Sequence, residues 1–140
     1  MSEYTVLCVD DDEAICELYE AAFPAWGHHA IISMSPLLAL KTLENKDAHF
    51  DAILLDYEMP EMNGAELAAA IKRQHPHLPI VLVSGNLEVI RHAPQFVDMA
   101  LAKGSELALL ISQIENLISS HRDSKLVQPF RWTVAETASA

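Results

Sequence analysis

The sequence is short of cationic side chains and of cysteine and has no long hydrophobic run, and each shortage excludes something. Nine Lys and Arg stand against twenty Asp and Glu, a net charge of −11, which repels the phosphate backbone of a nucleic acid and an anionic membrane surface alike. Direct nucleic-acid binding is therefore not expected. The two cysteines, Cys8 in an apolar run and Cys16 on a helical pattern, make neither a metal-ligand spacing nor a disulfide framework, and they read as small buried hydrophobes in a reducing, cytoplasmic setting. No apolar run approaches the roughly 18 residues of a membrane span, and the start Met-Ser-Glu-Tyr lacks the basic and apolar regions of a leader.

What is present is a soluble, core-forming composition, 51% hydrophobic over 140 residues, enough for one domain that buries roughly 68–70% of its unfolded surface. Short apolar runs alternate with helical patterns along the chain, the signature of a parallel α/β sheet. The strands are Val6 to Val9, Ala30 to Ser33, Ala52 to Leu55, Ile80 to Val83 and a weak fifth at Met99 to Ala102. Between them lie a helix from Glu13 to Phe23 closed by Pro24 and Gly27, one opened by Ser35 and Pro36 and running to Leu43, and one from Ala65 to Gln74 after Asn63 and Gly64. From Asn86 to Asp98 the apolar residues fit no single face and Pro94 interrupts them, so the fourth helix is expected to be short or broken. Ser105 to Ser120 carries a clean helical stripe through Leu107, Leu110, Ile111, Ile114, Leu117 and Ile118. Residues 1–121 read as the domain and 122–140 as an extension, an arm or linker in which Phe130, Trp132 and Val134 alternate. Trp26 and Trp132 read as cover for the core, and the seven scattered histidines as surface residues.

Every candidate reactive side chain falls just past the carboxyl end of a strand, the edge where doubly wound sheets bind ligands. If helices cover both faces and the strand order is 2-1-3-4-5, the first and third strands are neighbours, which would bring Asp10 and Asp11 beside Asp56. Three carboxylates meeting without a cation raise one another's pKa, whereas a divalent metal lets all of them ionise. A few carboxylates, with positions left for water and phosphate oxygens, is the style of Mg²⁺. Asp56 then has a second role open to it as a nucleophile toward phosphorus, with Ser84 able to donate to one phosphoryl oxygen and Lys103 to pair with another.

The segments VLCVDDDEAI, AILLDYEMPEMNG, IVLVSG and KGSEL, in this order, resemble the motifs of response-regulator receiver domains over about residues 4 to 120. The resemblance implies that Asp56 is the phosphoacceptor and that Asp10 and Asp11 bind Mg²⁺, Asp11 directly, together with Asp56 and the main-chain carbonyl of Glu58. Ser84 becomes the switch hydroxyl and Lys103 the pocket lysine, while Glu58 and Asn86 take positions that tune hydrolysis. Asp12 receives no role. A sensor histidine kinase or histidine phosphotransfer protein is the implied donor, and a downstream protein or a homodimer the implied recipient of the signal. Such a switch catalyses only its own phosphorylation and dephosphorylation.

The sequence departs from the family where the signal would leave the pocket. The aromatic residue three positions before the lysine is replaced by Ala100, the proline after it by Gly104, and the span from Ser84 to Lys103 is short. These departures keep open a degenerate receiver that acts without phosphorylation. A third reading, a haloacid-dehalogenase-like phosphatase, takes Asp10-x-Asp12 as its opening motif but lacks the Thr or Val after it and the late acidic metal motif.

Overall fold

The computed structural model describes residues 2–126. The strands β1 (Thr5–Val9), β2 (His29–Ser33), β3 (Ala52–Asp56), β4 (Ile80–Ser84) and β5 (Met99–Ala102) form one parallel sheet in the order β2-β1-β3-β4-β5. The helices α1 (Glu13–Ala25), α2 (Pro36–Glu44), α3 (Gly64–Gln74), α4 (Leu87–Arg91) and α5 (Leu107–Leu126) follow the strands in turn. β3 and β4 are buried from end to end, and β1 from Val6 on, because both faces are covered. Side-chain alternation divides these residues between two cores. Val6, Cys8, Ala52, Leu54, Val81 and Val83 pack with Phe23 of α1 and Ile111 of α5, while Leu7, Val9, Ile53, Leu55, Ile80 and Leu82 pack with Ala39 of α2 and Leu67 of α3.

The register fixes the site. Val9 lies opposite Leu55, and Asp56 lies opposite Val83, so the chain leaves β1, β3 and β4 at one level of the sheet. Asp10, Asp56 and Ser84 therefore gather at a single edge, as the alternation of strands and helices led us to expect.

Several expectations are corrected. α1 runs on to Ala25 with Pro24 inside its last turn, where the missing N–H costs only one bond of the ladder; Gly27, at φ 84°, then turns the chain out. α4, expected to be short or broken, is a helix of five residues with none buried, whereas α5, expected from Ser105 to Ser120, begins at Leu107 and continues to Leu126. Arg122 explains part of this extension, since it pairs with Asp51 at 2.6 Å and stands over the Tyr4 ring. Of the histidines, His28 is buried: its Nδ1 accepts the Tyr4 N–H and its Nε2 meets Glu115 of α5 at 2.7 Å. Trp26 is 44% exposed and leaves much of its ring in solvent. The alternation of Phe130, Trp132 and Val134 lies outside the described residues.

The short passage from β4 to β5 is held by Asp98. Its main-chain N–H donates to Ile80 O, its carboxylate accepts the Ile80 N–H, and it pairs with Lys72 at 3.0 Å.

Candidate functional site

Asp10 leaves β1 into a turn built around Asp12. The Asp12 N–H donates to Asp10 Oδ1 at 2.9 Å, and the Asp12 carboxylate caps α1 by accepting from the Ala14 and Ile15 N–H groups. The buried Cys16 thiol donates to the Asp10 carbonyl at 3.2 Å. Asp10 is thus pinned through both its side chain and its main chain, while Asp11 is exposed. Neither supporting residue had been assigned a part from sequence. An Asp-x-x-Ile/Cys pattern after a strand signals a helix cap, but nothing in it reports which oxygen the cap's own N–H will take.

The third carboxylate comes from the end of β3. Ligand oxygens of Asp10, Asp11 and Asp56 lie within 4.8 Å of one another. Lys103 arrives from the end of β5, held there by its N–H bond to Ser84 O, and places Nζ 3.0 Å from Asp56 Oδ1. This contact has the distance of an ion pair but not the geometry of a hydrogen bond, and among the described residues Asp56 Oδ1 has no hydrogen-bond donor. Asp56 is only 3% exposed; Lys103, at 40% on a flexible stem, is the partner able to swing aside.

The electrostatics reflect crowding. Burial, then the charge of Asp56, lifts the Asp10 carboxyl to about 6, against the Asp12 N–H and Lys103, which lower it. Asp56 is also raised, chiefly by burial, with Lys103 and the Glu58 main chain opposing. Burial works to lower Lys103, but Asp56 holds the ammonium above its ordinary value. Three converging carboxylates, two of them buried and facing a single lysine, fit a hard divalent cation, which would remove the cost of ionising them together.

Ser84 is buried at the end of β4, with Oγ accepting the Asn86 N–H at 3.0 Å. The hydroxyl hydrogen is left to donate elsewhere. Asn86 in turn caps α4 by accepting from the Glu88 N–H. Gly64, read from sequence only as part of a helix cap, is also required by space: a Cβ there would stand 2.5 Å from Leu82 Cδ1 and 2.7 Å from the Asp56 carbonyl oxygen. At Gly104 the chain takes φ 86°, a conformation closed to the proline that usually follows the lysine. Ala100 is partly buried against the α2–α3 core.

The family model of the response regulator receiver domain matches residues 6–115. The transcriptional regulatory protein ZraR of Klebsiella oxytoca is 33% identical over 79 residues, covering 56% of this chain and 17% of that protein. The structure of NtrX from Brucella abortus has a TM-score of 0.82 at 25% identity, covering 92% of this chain and 30% of that one. The response regulator TrrA of Thermotoga maritima, solved in complex with Mg(2+)-BeF, shares the fold with a TM-score of 0.74 at 23% identity, over 81% of this chain and 98% of that one. The chain spans less than a third of the length of ZraR and NtrX.

Proposed function

The chain belongs to the response regulator receiver family, whose members are signalling switches, and we propose that it works by taking a phosphoryl group onto Asp56 from the phosphohistidine of a sensor kinase or phosphotransfer protein. The observation that carries this reading is the buried carboxylate of Asp56, set among the carboxylates of Asp10 and Asp11 with its Oδ1 3.0 Å from Lys103 Nζ. Asp10, Asp11, Asp56 and the main-chain carbonyl of Glu58 would hold Mg²⁺. The ion, when bound, neutralises the charge that develops on the transferring oxygens.

The chain's own groups do the rest. An Asp56 carboxylate oxygen attacks phosphorus, the phosphorus–nitrogen bond breaks, and the electron pair leaves with the donor imidazole. Lys103 exchanges its contact with Asp56 for one phosphoryl oxygen, and the Ser84 hydroxyl donates to another. The product is an acyl phosphate that the same pocket later exposes to water, so the protein catalyses only its own modification, in the cytoplasm, and turns over no metabolite. As Ser84 turns toward the phosphoryl group it gives up the Asn86 N–H, which loosens the cap of a helix with no buried residue. That is a short route to a protein partner or dimer that does not need the aromatic residue replaced by Ala100.

Ala100 and Gly104 favour a second reading, a module that signals by contact alone. One experiment separates the two: incubation with acetyl phosphate and Mg²⁺, followed by intact mass. The wild type gains one phosphoryl group; Asp56→Asn, and the wild type with the metal chelated, gain none. A wild type that stays unmodified leaves the contact module standing.

A further inference from the structure

Ala48, His49 and Phe50 lead the chain from α2 into β3, and Pro76, His77 and Leu78 lead it from α3 into β4. Both connections lie where the strands begin, at the edge of the sheet opposite Asp56. Each is closed by a backbone bond of its own, from the Ala48 N–H to Asn45 O and from the Leu78 N–H to His75 O. Between them opens a cleft of about 440 Å³ with Leu43, Phe50, Pro76 and Leu78 among its walls, a size at which protein pockets enclose an organic group. Lys46 also lines it and, among the described residues, no Asp or Glu does, in a chain of net charge −11.

The cleft continues toward α5. His49, Phe50, His77 and Leu78 also line a second depression of about 160 Å³, whose far side is formed by Ile118 and Arg122. Arg122 holds that end of α5 in place through Asp51 and the Tyr4 ring. Leu126, where α5 ends, lies about one helical turn beyond Arg122, roughly 6 Å along the axis. One groove thus runs from between the two connections to the point at which the rest of the chain departs.

We propose that the segment 128–135 of the same chain occupies this groove, with the Trp132 ring in the cleft between Phe50 and Leu78. Its sequence matches the walls. Arg131 is the only charged residue of the segment, and Phe130, Trp132 and Val134 recur at every second position, a spacing that sets all three on one side of an extended chain. Pro129 has no N–H with which to carry the ladder of α5 into them. The six residues from Leu126 to Trp132 reach about 20 Å when extended, roughly three times the way back from Leu126 to Arg122.

Tethering selects this occupant over a separate partner. A segment attached a few residues from the groove is presented to it at an effective concentration on the order of millimolar, which a separate apolar partner would have to exceed. The lining favours an aromatic as well, since the Lys46 ammonium is attracted to an indole face and no acid stands there to draw a basic peptide instead. The groove lies at the end of the sheet away from Asp56, so the docking needs no phosphoryl group and stands apart from the role proposed for that residue.

Fluorescence of the full chain tests this, in a Trp26→Phe background that leaves Trp132 as its one indole. Trp132 emits to the blue of its emission in urea, equally at low and high micromolar concentration. His77→Glu, which places a charge on an exposed wall of the groove, moves the emission back to the red while melting shows a folded domain. Amide exchange gives a second reading that leaves the groove itself unaltered: relative to the wild type, Trp132→Ser speeds the Ala48 and Leu78 amides about threefold or more. Should His77→Glu unfold, the exchange decides alone. Solvent-like emission from Trp132, emission that ignores a folded His77→Glu, a blue shift that grows with concentration and so reports a second copy, or Ala48 and Leu78 amides that ignore Trp132→Ser overturns the proposal.

Discussion

Buried beside the charge of Asp56, Asp10 keeps its proton up to about pH 6 instead of its ordinary 3.8. The folded state therefore binds a proton that the unfolded chain has already shed, and the stability this supplies is full below about pH 4 and lost as pH rises through about 6. In the absence of divalent metal, the urea midpoint of the wild type should fall relative to that of Asp10→Asn across this window. A gap between the two that does not change with pH contradicts the assignment. The acids and Lys103 were legible in the sequence because each follows directly on an apolar run, where a parallel sheet leaves its open ends. Asp12, Cys16 and His28 were not. Their roles depend on one main-chain N–H, one thiol direction and a partner on α5, none of which leaves a periodic trace.

Among the elements, the turn from β3 into α3 is built around the missing side chain of Gly64. The Gly64 N–H bonds to Tyr57 O at 2.8 Å, and Asn63 and Glu66 close a reciprocal cap around it. Gly64→Ala forces a methyl into Leu82 and the Asp56 carbonyl, which should cost about 1–3 kcal/mol, read from denaturant unfolding, and should slow phosphorylation by acetyl phosphate because Asp56 is displaced. Normal stability together with a normal rate would show that α3 retreats without strain. Strong periodicity made α3 and α5 readable in advance. The end of α1 was misjudged because a proline in a last turn costs little, and α4 was expected only as short or broken, without bounds, because five residues without a buried position carry no stripe to detect.

At the scale of the molecule, the doubly wound sheet follows from runs that are apolar on both faces, and the crossing from β1 to β3 is what makes a single site out of acids more than forty residues apart. The outer position of β2 followed from the expected strand order, but the exposure of Ile31 on it did not, since an apolar strand looks alike in sequence whether it has one neighbour or two. The account as a whole rests on those acids acting together on one cation, and calorimetric titration of Mg²⁺ into the unphosphorylated chain at neutral pH tests that most directly. The wild type should bind one ion, and Asp11→Asn and Asp56→Asn should each weaken it by about tenfold or more, since each removes one carboxylate of the same set. Equal affinity in all three proteins, or no binding by the wild type, would contradict it.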